Sequence, residues 1–154
     1  MEEWQEGQFP EGELDLSDDR AQHIAAKQDL IAVSMPRPLE LIESPLTFSG
    51  EARGTWFFEG SFPVVLVNWD GLIIAESYAT AQLDPEDPDS TWMTEDFVPF
   101  EGTLEFVDPS FAGSETDFSK WGTLIFQKNN PSDDYQLDDA LEIPVLFAPL
   151  SQDL

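Results

Sequence analysis

The chain has 154 residues, 41% hydrophobic and 12% aromatic, which suits one domain burying roughly 70% of its unfolded surface and is too apolar for a disordered polymer. Thirty-two acidic residues against 6 basic ones give a formal net charge of −26, so no basic stripe exists for phosphate backbones, no nucleic acid is expected as a partner, and anionic membrane surfaces are disfavoured. The absence of cysteine removes disulfides, zinc-thiolate sites and thiol nucleophiles, while 12 prolines argue against a helical bundle.

Residues 1–29 read as an acidic tail or linker. Glu2, Glu3, Glu6, Glu11, Glu13, Asp15, Asp18 and Asp19 crowd together with Gly7, Pro10 and Gly12, and both repulsion and turn residues oppose compaction. Residues 17–28 fit a short helix, with Ser17 as its cap and Asp18 and Asp19 in its first turn; a helix this short is marginal without packing. Met1-Glu2-Glu3-Trp4 lacks the positive region and apolar run of a signal peptide, and no stretch suits insertion into a bilayer.

From Leu30 onward, short β-branched and aromatic runs are broken by Gly, Pro, Asn or Asp. Leu30 to Met35 forms a strand that stops at Pro36, and Leu39 to Ile42 reads as a second half of the same edge strand. Leu46 to Arg53 follows, with Leu46 and Phe48 on one face. Phe62 to Trp69, apolar at nearly every position, is predicted to be central, and Asn68 to Gly71 turns it into a return strand over Leu72 to Ala81. Phe97 to Val107 alternates around an expected irregularity at Gly102. Gly122 to Lys128 and Glu142 to Phe147 complete the set, and Pro144 places the last strand at an edge or bulge.

About seven strands at this spacing predict an all-β fold, an immunoglobulin-like antiparallel β-sandwich over residues 30–149, with 150–154 as a C-terminal tail. Trp56, Phe58, Phe62, Val64 and Leu66 are assigned to one inner face, and Phe97, Phe100, Leu104, Leu124, Phe126, Val145 and Phe147 to the facing sheet. Like charges repelling through solvent lead us to expect stability to rise with added salt.

Catalytic signals are weak. His23, the only histidine, falls in the predicted tail, away from every candidate pocket, so a triad has no rigid base. Carboxylates beside aromatic rings offer a composition suited to sugars, and the residues singled out for interaction are Trp56, Glu59, Trp92, Glu95 and Asp96. In so acidic a chain such neighbours also arise by chance, and the rings are more simply core. Asp84, Asp87 and Asp89 could supply oxygen ligands to calcium, but no twelve-residue calcium loop is present and solvation explains them more simply; no metal or other cofactor is expected. Asn129-Asn130-Pro131-Ser132 reads as a turn and is not a glycosylation acceptor.

Several segments in order carry a resemblance: Ile31 to Pro36, Ser44-Pro45-Leu46 with Gly50, Gly54 to Pro63 (GTWFFEGSFP), Val65 to Gly71, Trp92 to Phe100 (WMTEDFVPF), Gly122 to Leu124, Asn130 to Ser132, and Ile143 to Val145. Together, over about residues 30 to 148, they resemble the immunoglobulin-like domain of bacterial spore germination. The resemblance implies a small β-sandwich on exported or cell-envelope proteins and no catalytic residue. This chain departs from typical members in its acidity and its Asp84-to-Asp89 insertion.

The function expected on these grounds is a noncatalytic extracytoplasmic or cell-envelope interaction or structural module, with a protein or envelope component as partner. Self-association through an edge strand is a further route. The alternative is a carbohydrate-binding or glycan-processing accessory domain, which should expose two or three Trp or Phe rings in one row.

Overall fold

A computed structural model describes residues 17–111, 114–132 and 134–150; residues 1–16 of the expected 1–29 tail and 151–154 of the expected 150–154 tail lie outside the described residues, as do 112–113 and Asp133. Helix α1 spans Asp18–Lys27, with the Ser17 hydroxyl accepting the Arg20 N–H at 3.3 Å, acidic residues in the first turn and Lys27 in the last. The strands are β1 (Ile31–Met35), β2 (Leu46–Arg53), β3 (Ser61–Asn68), β4 (Ile73–Ala81), β5 (Phe97–Leu104), β6 (Trp121–Gln127) and β7 (Ala140–Leu146).

The seven strands pair with one another antiparallel throughout, in the order β1-β2-β5-β4-β3-β6-β7. The β4–β5 junction is thin, with only Thr80↔Glu101 and Ala81↔Phe100 in register, and there the ribbon folds over itself. Ring contacts demonstrate the two layers: Phe48 on β2 meets Phe126 on β6 at 5.8 Å, and Phe62 on β3 meets Phe100 on β5 at 5.0 Å, although neither pair of strands is adjacent. The fold is therefore the expected immunoglobulin-like sandwich, with β1-β2-β5 packed on β4-β3-β6-β7.

Which strands share a layer differs from the sequence assignment. β3 pairs with β6, so Phe62, Val64 and Leu66 lie in the same layer as Leu124, Phe126 and Val145; Phe48, Ala52, Val98, Phe100 and Leu104 face them. Alternation identifies inner faces but does not tell which strands are neighbours, because pairing spans sequence separations that no local pattern records. Phe58 is exposed and Phe57 is buried, since Phe58 to Ser61 forms a tight turn that rotates the run by one residue. Phe97 is half-buried beneath the Arg53 guanidinium, whose carbon sits 4.1 Å from the ring centroid.

The irregularity expected at Gly102 is absent: β2 and β5 stay in register from Leu46↔Leu104 to Arg53↔Phe97. Gly102 instead makes room for Phe48, whose ring would lie 2.4 Å from an added Cβ. β3 is interior, as predicted, and Val65 on its other face is also buried.

Leu39 to Ile42 does not extend β1. It crosses to the other layer and runs parallel to the outer edge of β7: the Leu39 N–H donates to Pro144 O at 2.7 Å, the Leu146 N–H to Glu40 O at 3.0 Å and the Ile42 N–H to Leu146 O at 2.8 Å. Pro144 thus occupies the edge position anticipated for it.

The same edge holds α1. The Glu142 N–H donates to His23 Nε2 at 2.9 Å, Lys27 pairs with Asp139, and Ile24 packs on the core. His23 is consequently not remote from the folded body; it caps an otherwise open N–H of β7, a contact across 119 positions that local reading cannot find. His23→Ala should cost about 1 kcal/mol and raise the amide exchange rate of Glu142, measurable by denaturant unfolding and hydrogen exchange.

Candidate functional site

The two aromatic-acidic blocks meet at Gly54. Residues 54–56 form a short 3-10 turn after β2, and the Gly54 N–H donates to Asp96 O at 3.1 Å. A Cβ on Gly54 would lie 2.0 Å from Thr94 O and 2.2 Å from Trp92 O, so only glycine allows the 92–96 loop to seat. Arg53, which the sequence reading did not single out, fastens this region. Its Nη1 donates to Glu95 O at 3.3 Å, and its Nε and Nη2 donate to Asp29 O at 2.8 Å and Asp29 Oδ1 at 3.0 Å.

The candidate interaction residues have different fates. Trp56 is 1% exposed and belongs to the core, which removes its ring from any ligand surface; its Nε1 has no hydrogen-bond partner among the described residues. Glu59 is exposed at the corner of the Phe58–Ser61 turn, with φ +53°, followed by Gly60 at +79°. Its role there is geometric, since the turn needs left-handed backbone at both positions.

Trp92 is half-buried against the core and above Gly60, while Glu95 and Asp96 are exposed and engage their neighbours through backbone carbonyls. Trp92 and Glu95 line a shallow hollow with Thr55, Phe57 and Met93; Asp96 lines a separate one with Asp89 and Gln82. The five residues therefore do not converge on one pocket.

The acidic loop is built from its own side chains. Asp84 Oδ1 accepts the Glu86 N–H and Asp87 Oδ1 the Asp89 N–H, each at 2.9 Å, and the Ser90 hydroxyl accepts the Asp84 N–H at 2.9 Å. No group of three or more potential ligands that could hold a metal ion occurs among the described residues. Addition of calcium should move the melting temperature no more than magnesium at equal concentration; a calcium-specific rise of several degrees would reveal a site at Asp84, Asp87 and Asp89. The Asn130 side chain, in turn, ties its own loop together, accepting from the Ser132 N–H and hydroxyl and donating to Asp134 O and Asp138 Oδ1.

Exposed rings do form a row, but elsewhere. Asn68 Oδ1 accepts the Asp70 and Leu72 N–H groups and Gly71 takes φ +81°, closing the β3–β4 turn with Trp69 at its tip. Trp69 (45% exposed) meets Phe118 (46%) edge-on at 4.7 Å and 86°, and Phe118 meets Phe111 (51%) at 6.1 Å and 79°. Phe118 is presented by the 3-10 segment Ser114–Lys120, and the Ser119 hydroxyl holds the Phe111 N–H at 2.8 Å. Sequence reading missed this cluster because composition counts aromatic rings as core; only the turn chemistry at Asn68 to Gly71 hinted that Trp69 sits at a tip.

No curated protein and no solved structure matches the chain. A family model does: that of the immunoglobulin-like domain of bacterial spore germination matches residues 30–116, from the start of β1 into the segment before β6. The sandwich runs past this match, β6 and β7 being supplied by residues 121–146. With more than half of its length matched and an immunoglobulin-like sandwich as its fold, the chain belongs to the family of immunoglobulin-like domains of bacterial spore germination.

Proposed function

We propose that this chain is a noncatalytic interaction module of the cell envelope, acting outside the cytoplasm by holding a protein or envelope component against the surface of its sandwich. Membership in the germination-associated immunoglobulin-like family carries the reading. The dispersal of Glu59, Glu95 and Asp96 supports it, because hydrolysis of a glycoside needs two carboxylates facing one bond. No helix among the described residues is long and apolar enough to cross a membrane. The glycan-binding alternative loses Trp56 to the core, and the rings that are exposed meet edge to face, which does not make a flat platform for sugar faces.

Self-association by strand addition would use the outer edge of β1, since the edge of β7 is taken by Leu39 to Ile42 and His23. The test is affinity capture from envelope fractions on the immobilised chain, paired with a turnover assay on nitrophenyl glycosides. A retained, saturable partner and no turnover is the expected result. Turnover that disappears in Glu95→Gln would overturn the proposal.

A further inference from the structure

We propose that the aromatic end of the sandwich, built from Trp69, Phe118 and Phe111, docks a cationic partner: a lysine- and arginine-rich segment of another protein. Trp69 and Phe118 brace each other edge-on and are still nearly half exposed, and the exposed Leu72 and Ile73 follow in the same hairpin. A contiguous exposed apolar surface marks an interaction site more often than a chance exposure.

Charge selects the occupant. Asp70 follows Trp69 directly, Asp108 lies three residues before Phe111, and both are exposed. Lys120, the basic residue nearest in sequence to Phe118, is buried and paired with Asp117 at 2.9 Å, so its charge is spent internally. Aromatic faces attract cations through their quadrupole, and adjacent carboxylates add to that attraction. The molecule already pairs a guanidinium with a ring, Arg53 on Phe97. A second copy would bring another −26 charges to the contact, which opposes a homodimer here. A neutral glycan would need rings with faces aligned, and these are close to perpendicular.

The inference rests on the reading of the chain as an interaction module, and the two fail separately. Binding that persists through another face removes this surface and keeps the module, whereas substrate turnover removes the module itself. The experiment is calorimetric titration of the full chain, at physiological ionic strength, with an alternating arginine-leucine octapeptide, its glutamate-leucine counterpart and a chitin hexasaccharide.

Only the cationic peptide should bind, and Trp69→Ser and Phe118→Ser should each weaken it about ten-fold or more. Should those variants lose their fold, Asp70→Asn combined with Asp108→Asn carries the test and should weaken binding several-fold. Glu51→Gln with Glu86→Gln removes the same charge at distant exposed positions and should leave affinity within about two-fold. Equal losses from both charge pairs, full affinity in a folded Trp69→Ser, or hexasaccharide binding that depends on Trp69 would each overturn the proposal.

Discussion

Phe126→Ala is expected to destabilise the domain by about 3–5 kcal/mol, a large share of the roughly 5–15 kcal/mol that holds a typical domain together. The ring is fully buried and touches Phe48 at 5.8 Å and Phe100 at 5.9 Å, both on the opposite layer. Truncation would therefore open a void between the layers, where neither sheet can move in without disturbing its own ladder. Urea unfolding of wild type and variant reads the effect directly. Phe58→Ala is the informative contrast: the same chemical change at an exposed ring should stay within about 0.5 kcal/mol. Equal costs at the two positions would mean that the division between core and surface is misplaced.

Gly54→Ala should be comparably damaging for a different reason. The new methyl would press on two backbone carbonyls, Trp92 O at 2.2 Å and Thr94 O at 2.0 Å, and backbone atoms cannot rotate aside as a side chain can. Relief requires the 92–96 loop to lift, breaking the Gly54 to Asp96 hydrogen bond and disturbing the Arg53 contact with Glu95 O. A loss of about 3 kcal/mol or more is expected, at the upper end of overpacking effects. Shifts in the indole resonance of Trp92 should accompany it. Gly71→Ala separates sterics from dihedral strain, because Gly71 has φ +81° and open space around it. Its cost should be about 1–2 kcal/mol, with no change at Trp92.

These two sites also mark where the sequence was legible. Phe126 alternates with Leu124 along a regular strand, so its inward direction follows from period-two patterning, and the structure agrees. Pro144 likewise declared an edge by lacking an N–H. The Gly54 clasp could not be foreseen, since its partners lie about forty residues away and a glycine gives no signal of what approaches it. Phe57 and Phe58 were equally eligible for burial until the left-handed turn at Glu59 and Gly60 chose between them.

The site was less legible than the fold, and the reason is physical. Hydrophobicity predicts that a ring will be buried somewhere and so groups Trp69 with Trp56; the turn residues Asn68 to Gly71 mark a tip at Trp69, whereas tertiary packing decides that Trp56 joins the core. Carboxylates are so abundant here that proximity to an aromatic residue carries little information, and Glu95 and Asp96 turned out to matter through their backbone carbonyls. The docking of α1 through His23 and Lys27 on β7 depends on contacts across more than a hundred positions.

The layered sandwich is the premise of both the core energetics and the placement of the aromatic end, and it is tested most directly by nuclear Overhauser contacts between rings on strands that are not hydrogen-bonded neighbours. Cross-peaks linking Phe48 with Phe126 and Phe62 with Phe100 are predicted, at separations of 5.8 and 5.0 Å between ring centres. A spectrum that connected rings only along adjacent strands, with Phe48 and Phe126 silent to each other, would contradict it.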